Sequence, residues 1–130
     1  MNQEVYIVSA LRSAIGDFGG AFRSFSPVDL AVPVIKAALA QSGLPQDKVG
    51  KVILGNTLSP LNPNIARGVA ITAGLPGETP CFSVHCACAS AMQALISGIS
   101  ALKLGEAETA LVGGVTEIVV CLQQCSLPGV

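Results

Sequence analysis

Residues 80–102 carry no lysine, arginine, aspartate or glutamate. A charge-free run of this length suits either a membrane span or a buried strand followed by a buried helix. The second interpretation fits better, because His85, Gln93 and several serines interrupt the run and no basic cluster flanks it. The sequence therefore predicts a strand over Cys81–His85, a central buried helix over Ala89–Leu104, and no membrane association.

Capping residues mark where a first helix begins and ends. Ser26, Pro27 and Asp29 are typical of a helix start, and Gly43 is typical of its end. Pro33 inside this helix should kink it or delay its start, because proline removes a backbone donor. Asn64 caps a second predicted helix through Ala73. The predicted strands are short, apolar and β-branched: Val5–Ser9, Lys51–Gly55, Cys81–His85 and Thr109–Val112, with residues 118–122 as a candidate fifth strand.

This order, β-α-β-α-β-α-β, predicts an α/β fold with a mostly parallel sheet and helices on both faces, in one domain over residues 1–130. Charged residues make up only 12% of the chain, against a usual share of about 25%. We infer that some apolar surface meets a partner subunit or a missing part of the chain. The net charge of −1 and the scattered basic residues argue against nucleic-acid binding.

Two features bear on the cellular compartment. The amino terminus, Met1–Glu4, is polar and acidic, without the basic and apolar regions of a secretory signal. The chain has five cysteines, and an odd number without a signal peptide indicates free thiols in a reducing setting. The sequence therefore predicts a cytoplasmic protein.

Cys88 is the main candidate for chemistry, because it falls at the predicted junction between a strand and a helix. The unpaired N–H groups and the positive dipole end of the helix favour a thiolate there. A thiolate at such a turn is a candidate acyl-accepting nucleophile, and its small neighbours leave room for a substrate. The alternative is that Cys88 is a small apolar residue in a packed core.

The groups around Cys88 have weaker signals. His85 can act as a base, but a surface histidine, or one whose hydrogen bonds are already made, is the better interpretation. Cys86 and Cys88 can form a redox pair, or half of a metal site with His85 that Cys121 and Cys125 complete. These spacings match no common zinc pattern, so we predict no metal.

Isolated cations and glycines add little. Arg12 and Arg67 are better read as structural pairing residues than as phosphate ligands. Gly113 and Gly114 indicate a tight turn, or a place where the backbone approaches a ligand. Neither glycine-rich stretch has dinucleotide or P-loop spacing, so no cofactor is predicted.

Several stretches, in order, resemble the amino-terminal half of the thiolase family: Val8–Gly20, Val52–Asn56, Asn64–Pro76, the Cys88 segment and Leu104–Glu117. The resemblance implies an incomplete thiolase-like layered fold. It also implies an acyl-CoA C-acyltransferase of fatty acid metabolism that works through a cysteine-bound intermediate. Cys88 would accept the acyl group, and its backbone N–H would be an oxyanion donor. Coenzyme A thioesters would be the substrates, and the enzyme would be a homo-oligomer.

Some positions depart from the family pattern. Thiolases place a histidine base and a second cysteine in their carboxyl-terminal half, and neither stretch is present here. We therefore expect these 130 residues to be part of an enzyme: alone, the chain would be inactive in turnover, with at most slow acylation of Cys88. Ala89 and Ala91 stand where glycine is usual, His85 stands where asparagine is frequent, and residues 118–130 do not follow the family's continuation.

Three other functions remain open from the sequence. A ketoacyl synthase-like condensing enzyme shares the fold and the junction cysteine, although Arg12–Gly20 and Asn64–Leu75 favour a thiolase. A non-catalytic thiolase-like module for binding or assembly is the second alternative. A redox protein that uses Cys86 and Cys88 is the third.

Overall fold

The computed structural model describes residues 4–57 and 62–116. The candidate fifth strand, Glu117, Cys121 and Cys125 lie outside these residues. The elements in chain order are α1 (Pro27–Ser42), a short 3-10 helix (Gln46–Lys48), β1 (Val52–Gly55), α2 (Ile65–Ala73), β2 (Cys81–Val84), α3 (Ser90–Lys103) and β3 (Leu111–Gly114).

The three strands form a parallel sheet in the order β2-β1-β3. Val52 lies opposite Cys81 on one side and Leu111 on the other. At the far end, Gly55 lies opposite Val84 and Gly114, so the carboxyl ends of all three strands meet at one edge. Residues that follow β1 and β2 in the chain are thereby brought together.

Helices cover both faces of the sheet, as β1 shows. All four β1 residues are buried. Val52 and Leu54 belong to the main apolar core, which includes residues of α1 and α2. Because successive strand side chains point to opposite faces, Ile53 and Gly55 face the other way, toward α3. The predicted α/β fold with helices on both faces of a parallel sheet is confirmed.

The start of α1 follows from its capping residues. The Ser26 hydroxyl accepts the Asp29 N–H at 3.2 Å, and the Asp29 carboxylate accepts the Ser26 N–H at 2.9 Å. These reciprocal bonds satisfy donors that a helix end leaves free. Gly43 ends the helix in the left-handed conformation. Pro33 lies inside α1 without delaying its start, because the capping pair already holds the first turn in place.

One predicted strand is wrong: the segment Val5–Ser9 forms no strand. Most of its apolar side chains are exposed, with Val8 at 73% and Tyr6 at 74% of full exposure. A strand exists only where a neighbour completes its ladder of hydrogen bonds. Within residues 4–57 and 62–116, no strand pairs with this segment, so β propensity alone does not organise it.

The prediction that the third helix is central and buried holds for only one face of α3. One face of α3 is buried against the sheet, whereas Met92 and Ile96 on another face are exposed. The run that lacks charge is nevertheless a strand, a turn and a helix, as predicted. No helix in the described part of the chain has the length and apolarity needed to cross a bilayer. The buried residues of α3 recur every three or four positions: Ser90, Ala94, Gly98 and Ala101.

Candidate active site at the turn between β2 and α3

Cys88 lies in the turn that joins β2 to α3. Its side chain is exposed and its thiol is free. The structure therefore places it at the predicted strand-to-helix junction and outside the packed core. A nucleophile needs access to its substrate, and this position provides it.

The turn has a tight backbone geometry. The Cys86 carbonyl accepts the Ala89 N–H at 3.0 Å, and the Ala87 carbonyl accepts the Ser90 N–H at 3.1 Å. Ala87 has a φ of 45°, in the left-handed region that costs a residue with a side chain about 1 kcal/mol. Such a conformation persists only where the surroundings hold it. Cys88 is thus carried by a strained turn immediately before the first turn of α3.

Two hydroxyl groups contact this turn. Ser90, only 3% exposed, accepts the Cys86 N–H at 2.9 Å and donates its hydroxyl to the Ala87 carbonyl at 2.7 Å. Thr57, just after β1, donates its hydroxyl to the same carbonyl at 3.0 Å. From the sequence, Ser90 is one of the small neighbours of Cys88, and the contact made by Thr57 is not predicted. Ser90 could have been identified from the sequence, because it is a hydroxyl residue in the first turn of the helix that follows the candidate nucleophile.

The first turn of α3 rests directly on the ends of two strands. A side-chain carbon placed on Gly55 would lie 2.3 Å from the carbonyl carbon of Ser90. One placed on Gly114 would lie 2.5 Å from the Ala91 side chain. These glycines allow the helix to approach closely enough for Thr57 and Ser90 to contact the turn. Ala91, an alanine where glycine is usual, packs here because Gly114 lacks a side chain.

His85 contacts the backbone of the turn. Its exposed ring accepts the Ala87 N–H at Nδ1, at 3.3 Å. Among the described residues, no hydrogen bond joins His85 to the Cys88 thiol. The structure thus places His85 as an exposed residue with a local backbone partner and does not place it as a base for Cys88.

The remaining sequence candidates have structural contacts. Arg67 donates to the Thr79 carbonyl at 3.3 Å, and Arg12 donates to the carbonyl of its neighbour Ser13 at 3.2 Å. The partly buried Cys81 donates its thiol to the Thr79 carbonyl at 3.1 Å. In the described ranges, no cluster of three or more histidine, cysteine or carboxylate side chains has a geometry that would hold a metal ion.

Cys86 shares the turn with Cys88 as a second exposed, free thiol. It therefore offers an internal comparison for the reactivity of Cys88. Both thiols are exposed, but they differ in their place on the turn, since Cys86 precedes the left-handed residue Ala87 and Cys88 follows it.

The family model described as thiolase, N-terminal domain, matches residues 5–119. The chain belongs to the thiolase family. It is 42% identical over 115 residues to an acetyl-CoA acetyltransferase of Schizosaccharomyces pombe, covering 88% of this chain and 29% of that protein. It is 34% identical over 116 residues to the beta-ketothiolase BktB of Cupriavidus necator, with the same coverage of both chains.

Solved structures agree with the thiolase assignment. The acetyl-CoA acetyltransferase of Bacillus anthracis superposes with a TM-score of 0.81 at 38% identity, covering 83% of this chain and 28% of that one. The Acat5 thiolase of Ascaris suum, solved in complex with coenzyme A, superposes with a TM-score of 0.76 at 38% identity, covering 79% and 27%. The chain thus spans less than a third of the length of these thiolases.

Proposed function

We propose that this chain carries the acyl-accepting cysteine of a thiolase-type acyl-CoA C-acyltransferase, and that this cysteine is Cys88. The observation that carries the proposal is the free, exposed thiol of Cys88 on the turn that leads into α3. Membership of the thiolase family supports the reaction class. The proposed domain, over residues 1–130, is the amino-terminal thiolase domain.

The proposed step is transfer of an acyl group between two sulfur atoms. Cys88 loses its proton, and its sulfur attacks the carbonyl carbon of an acyl-CoA thioester. A new carbon–sulfur bond forms, the bond to the coenzyme A sulfur breaks, and coenzyme A takes up a proton as it leaves. A second substrate then accepts the acyl group from Cys88, so that one difficult displacement is divided into two easier ones.

Charge develops on the thioester oxygen during the attack, and backbone donors stabilise it best. We assign the Cys88 N–H as one of these donors. The start of α3 adds a positive dipole end close by, which favours the developing oxyanion.

For the whole protein we propose acyl-CoA substrates, a homo-oligomeric state, a cytoplasmic location and a role in fatty acid metabolism. Relatives that are acetyl-CoA acetyltransferases support acetyl-CoA chemistry, and one structural neighbour is a complex with coenzyme A. Exposed apolar residues on α3, among them Met92 and Ile96, support contact with a further subunit or further chain.

The test is acetylation of the chain by acetyl-CoA, followed by proteolysis and mass spectrometry. We expect one acetyl group, on Cys88, and none after Cys88→Ser. The matched control is Cys86→Ser, which removes the other exposed thiol of the turn and should leave acetylation of Cys88 intact. Acetylation of neither thiol, or of both equally, would contradict the proposal and favour a binding or assembly module.

A further inference from the structure

We infer that Ser90 and Thr57 are positioning residues, whose hydroxyl groups aim the Cys88 N–H at the oxygen of the bound thioester. This inference rests on the proposed function of Cys88. It concerns the backbone donor rather than the thiol, and it assigns a task to two side chains that the acyl-transfer step itself does not use.

Three donors converge on one carbonyl oxygen of the turn. The Ala87 oxygen accepts the Ser90 hydroxyl at 2.7 Å, the Thr57 hydroxyl at 3.0 Å and the Ser90 N–H at 3.1 Å. A carbonyl oxygen has two lone pairs, so three donors more than satisfy it. Ordinary closure of the turn requires only the backbone donor. The two hydroxyls therefore add a restraint beyond what the turn needs.

The rigidity of the peptide group links this carbonyl to the Cys88 N–H. The Ala87 carbonyl and the Cys88 N–H belong to one planar, trans peptide unit, so they point in opposite directions. Fixing the carbonyl against α3 and the end of β1 fixes the direction of the N–H. The hydrogen bonds also polarise the peptide unit, which strengthens the N–H as a donor.

The backbone of the turn is strained at Ala87. Ala87 holds a positive φ that a residue with a side chain avoids. The buried Ser90 hydroxyl bridges two backbone groups of the turn: it accepts the Cys86 N–H and donates to the Ala87 carbonyl. Without that bridge, the Thr57 hydroxyl and the Ser90 N–H alone hold the Ala87 carbonyl, and the peptide between Ala87 and Cys88 can rotate further toward an unstrained turn. The Cys88 thiol would remain exposed, but the Cys88 N–H would no longer point toward the thioester oxygen.

Thr57 anchors the turn to the sheet. This residue lies just beyond β1, whose Gly55 contacts Ser90, and its bond to Ala87 spans 30 positions of the chain. Thr57 therefore ties the turn to the sheet, whereas Ser90 ties it to α3. With both hydroxyls in place, the turn is held from two elements.

The experiment separates two reactions of the same thiol in the wild-type chain and its variants. Acetylation by acetyl-CoA develops an oxyanion and needs the N–H, whereas alkylation by iodoacetamide develops none and needs only the thiolate. For Ser90→Ala, we expect Cys88 acetylation to slow by about 10- to 100-fold, less than the roughly 100- to 1000-fold seen when an oxyanion donor is removed, because here the donor is misaligned and not removed. Alkylation of Cys88 should change by less than about 3-fold, since the thiol stays exposed.

Thr57→Val keeps the shape of the side chain and removes its hydroxyl, so it should show the same selective loss to a smaller extent. Thr57→Ser restores the hydroxyl and should restore acetylation. Ser100→Ala is the matched control, because Ser100 is also on α3 but donates its hydroxyl to the Ile96 carbonyl, at 2.9 Å, away from the turn. Circular dichroism reports whether each variant is folded.

Different outcomes would overturn this inference and the proposed function. Parallel loss of acetylation and alkylation in Thr57→Val would show a general disturbance of the turn and would overturn the inference. Unchanged acetylation in both Ser90→Ala and Thr57→Val would overturn it as well. If the wild-type chain itself takes no acetyl group on Cys88, the proposed function fails, and this inference fails with it.

Discussion

Residues 5–9 and β1 have the same kind of sequence, short, apolar and β-branched, yet only β1 is a strand. Val52 in β1 is completely buried, whereas Val8 is 73% exposed. The difference lies in their surroundings, because β1 has a parallel partner on each side and helices over both faces. An apolar β-branched run thus reports the capacity to form a strand, and neighbouring elements decide whether one forms.

The end of β1 extends this contrast to the candidate site. Gly55 lies so close to Ser90 that a side chain cannot fit between them, and the same approach brings Thr57 to the Ala87 carbonyl. In residues 5–9, the Ser9 hydroxyl donates to the Gln41 side chain at 2.6 Å, but within residues 4–57 and 62–116 no strand pairs with this segment. The packing that makes β1 a strand therefore also builds the turn that carries Cys88.

Gly55→Ala should have the largest effect on stability. Its new methyl group would lie 2.3 Å from the Ser90 backbone, and a helix backbone cannot move as a flexible side chain can. We expect a loss of about 3 kcal/mol or more in the free energy of unfolding, measured by urea denaturation. The control is Gly77→Ala, where nothing lies within 4 Å, which should change stability by less than about 0.5 kcal/mol. Equal midpoints for the two variants would refute the close packing of α3 on β1.

A pair of identical substitutions tests the contrast between the two segments directly. Val52→Ala removes two buried methyl groups and should cost about 2 kcal/mol in urea denaturation. Val8→Ala removes the same groups from an exposed side chain and should cost less than about 0.5 kcal/mol. A loss at Val8 as large as that at Val52 would mean that residues 5–9 are packed as a strand in solution.

Much of the fold follows from local signals in the sequence. Ser26 and Gly43 bound α1 because capping depends on residues a few positions apart. The position of Cys88 between β2 and α3 follows from the change of pattern on either side. The contact between Thr57 and Ala87 could not be predicted, since it depends on how β1 and α3 approach one another. The failure of residues 5–9 to form a strand could not be predicted for the same reason, because the local sequence does not show whether a pairing strand is present.

The smallest expected effect is at the start of α1, where stability depends on local hydrogen bonds and not on contacts between distant segments. Hydrogen bonds from the Ser26 hydroxyl and N–H hold the pKa of Asp29 below its ordinary value of 3.8. A carboxyl with a lowered folded pKa stabilises the fold above the unfolded pKa, and this contribution disappears as pH falls through the folded pKa. We therefore expect the wild-type chain to have a slightly higher urea midpoint than Asp29→Asn near neutral pH. The advantage should shrink below pH 3.8, where protonation of Asp29 makes the two chains alike. An advantage that stays constant or grows on acidification would show that the charge of Asp29 has no part in capping α1.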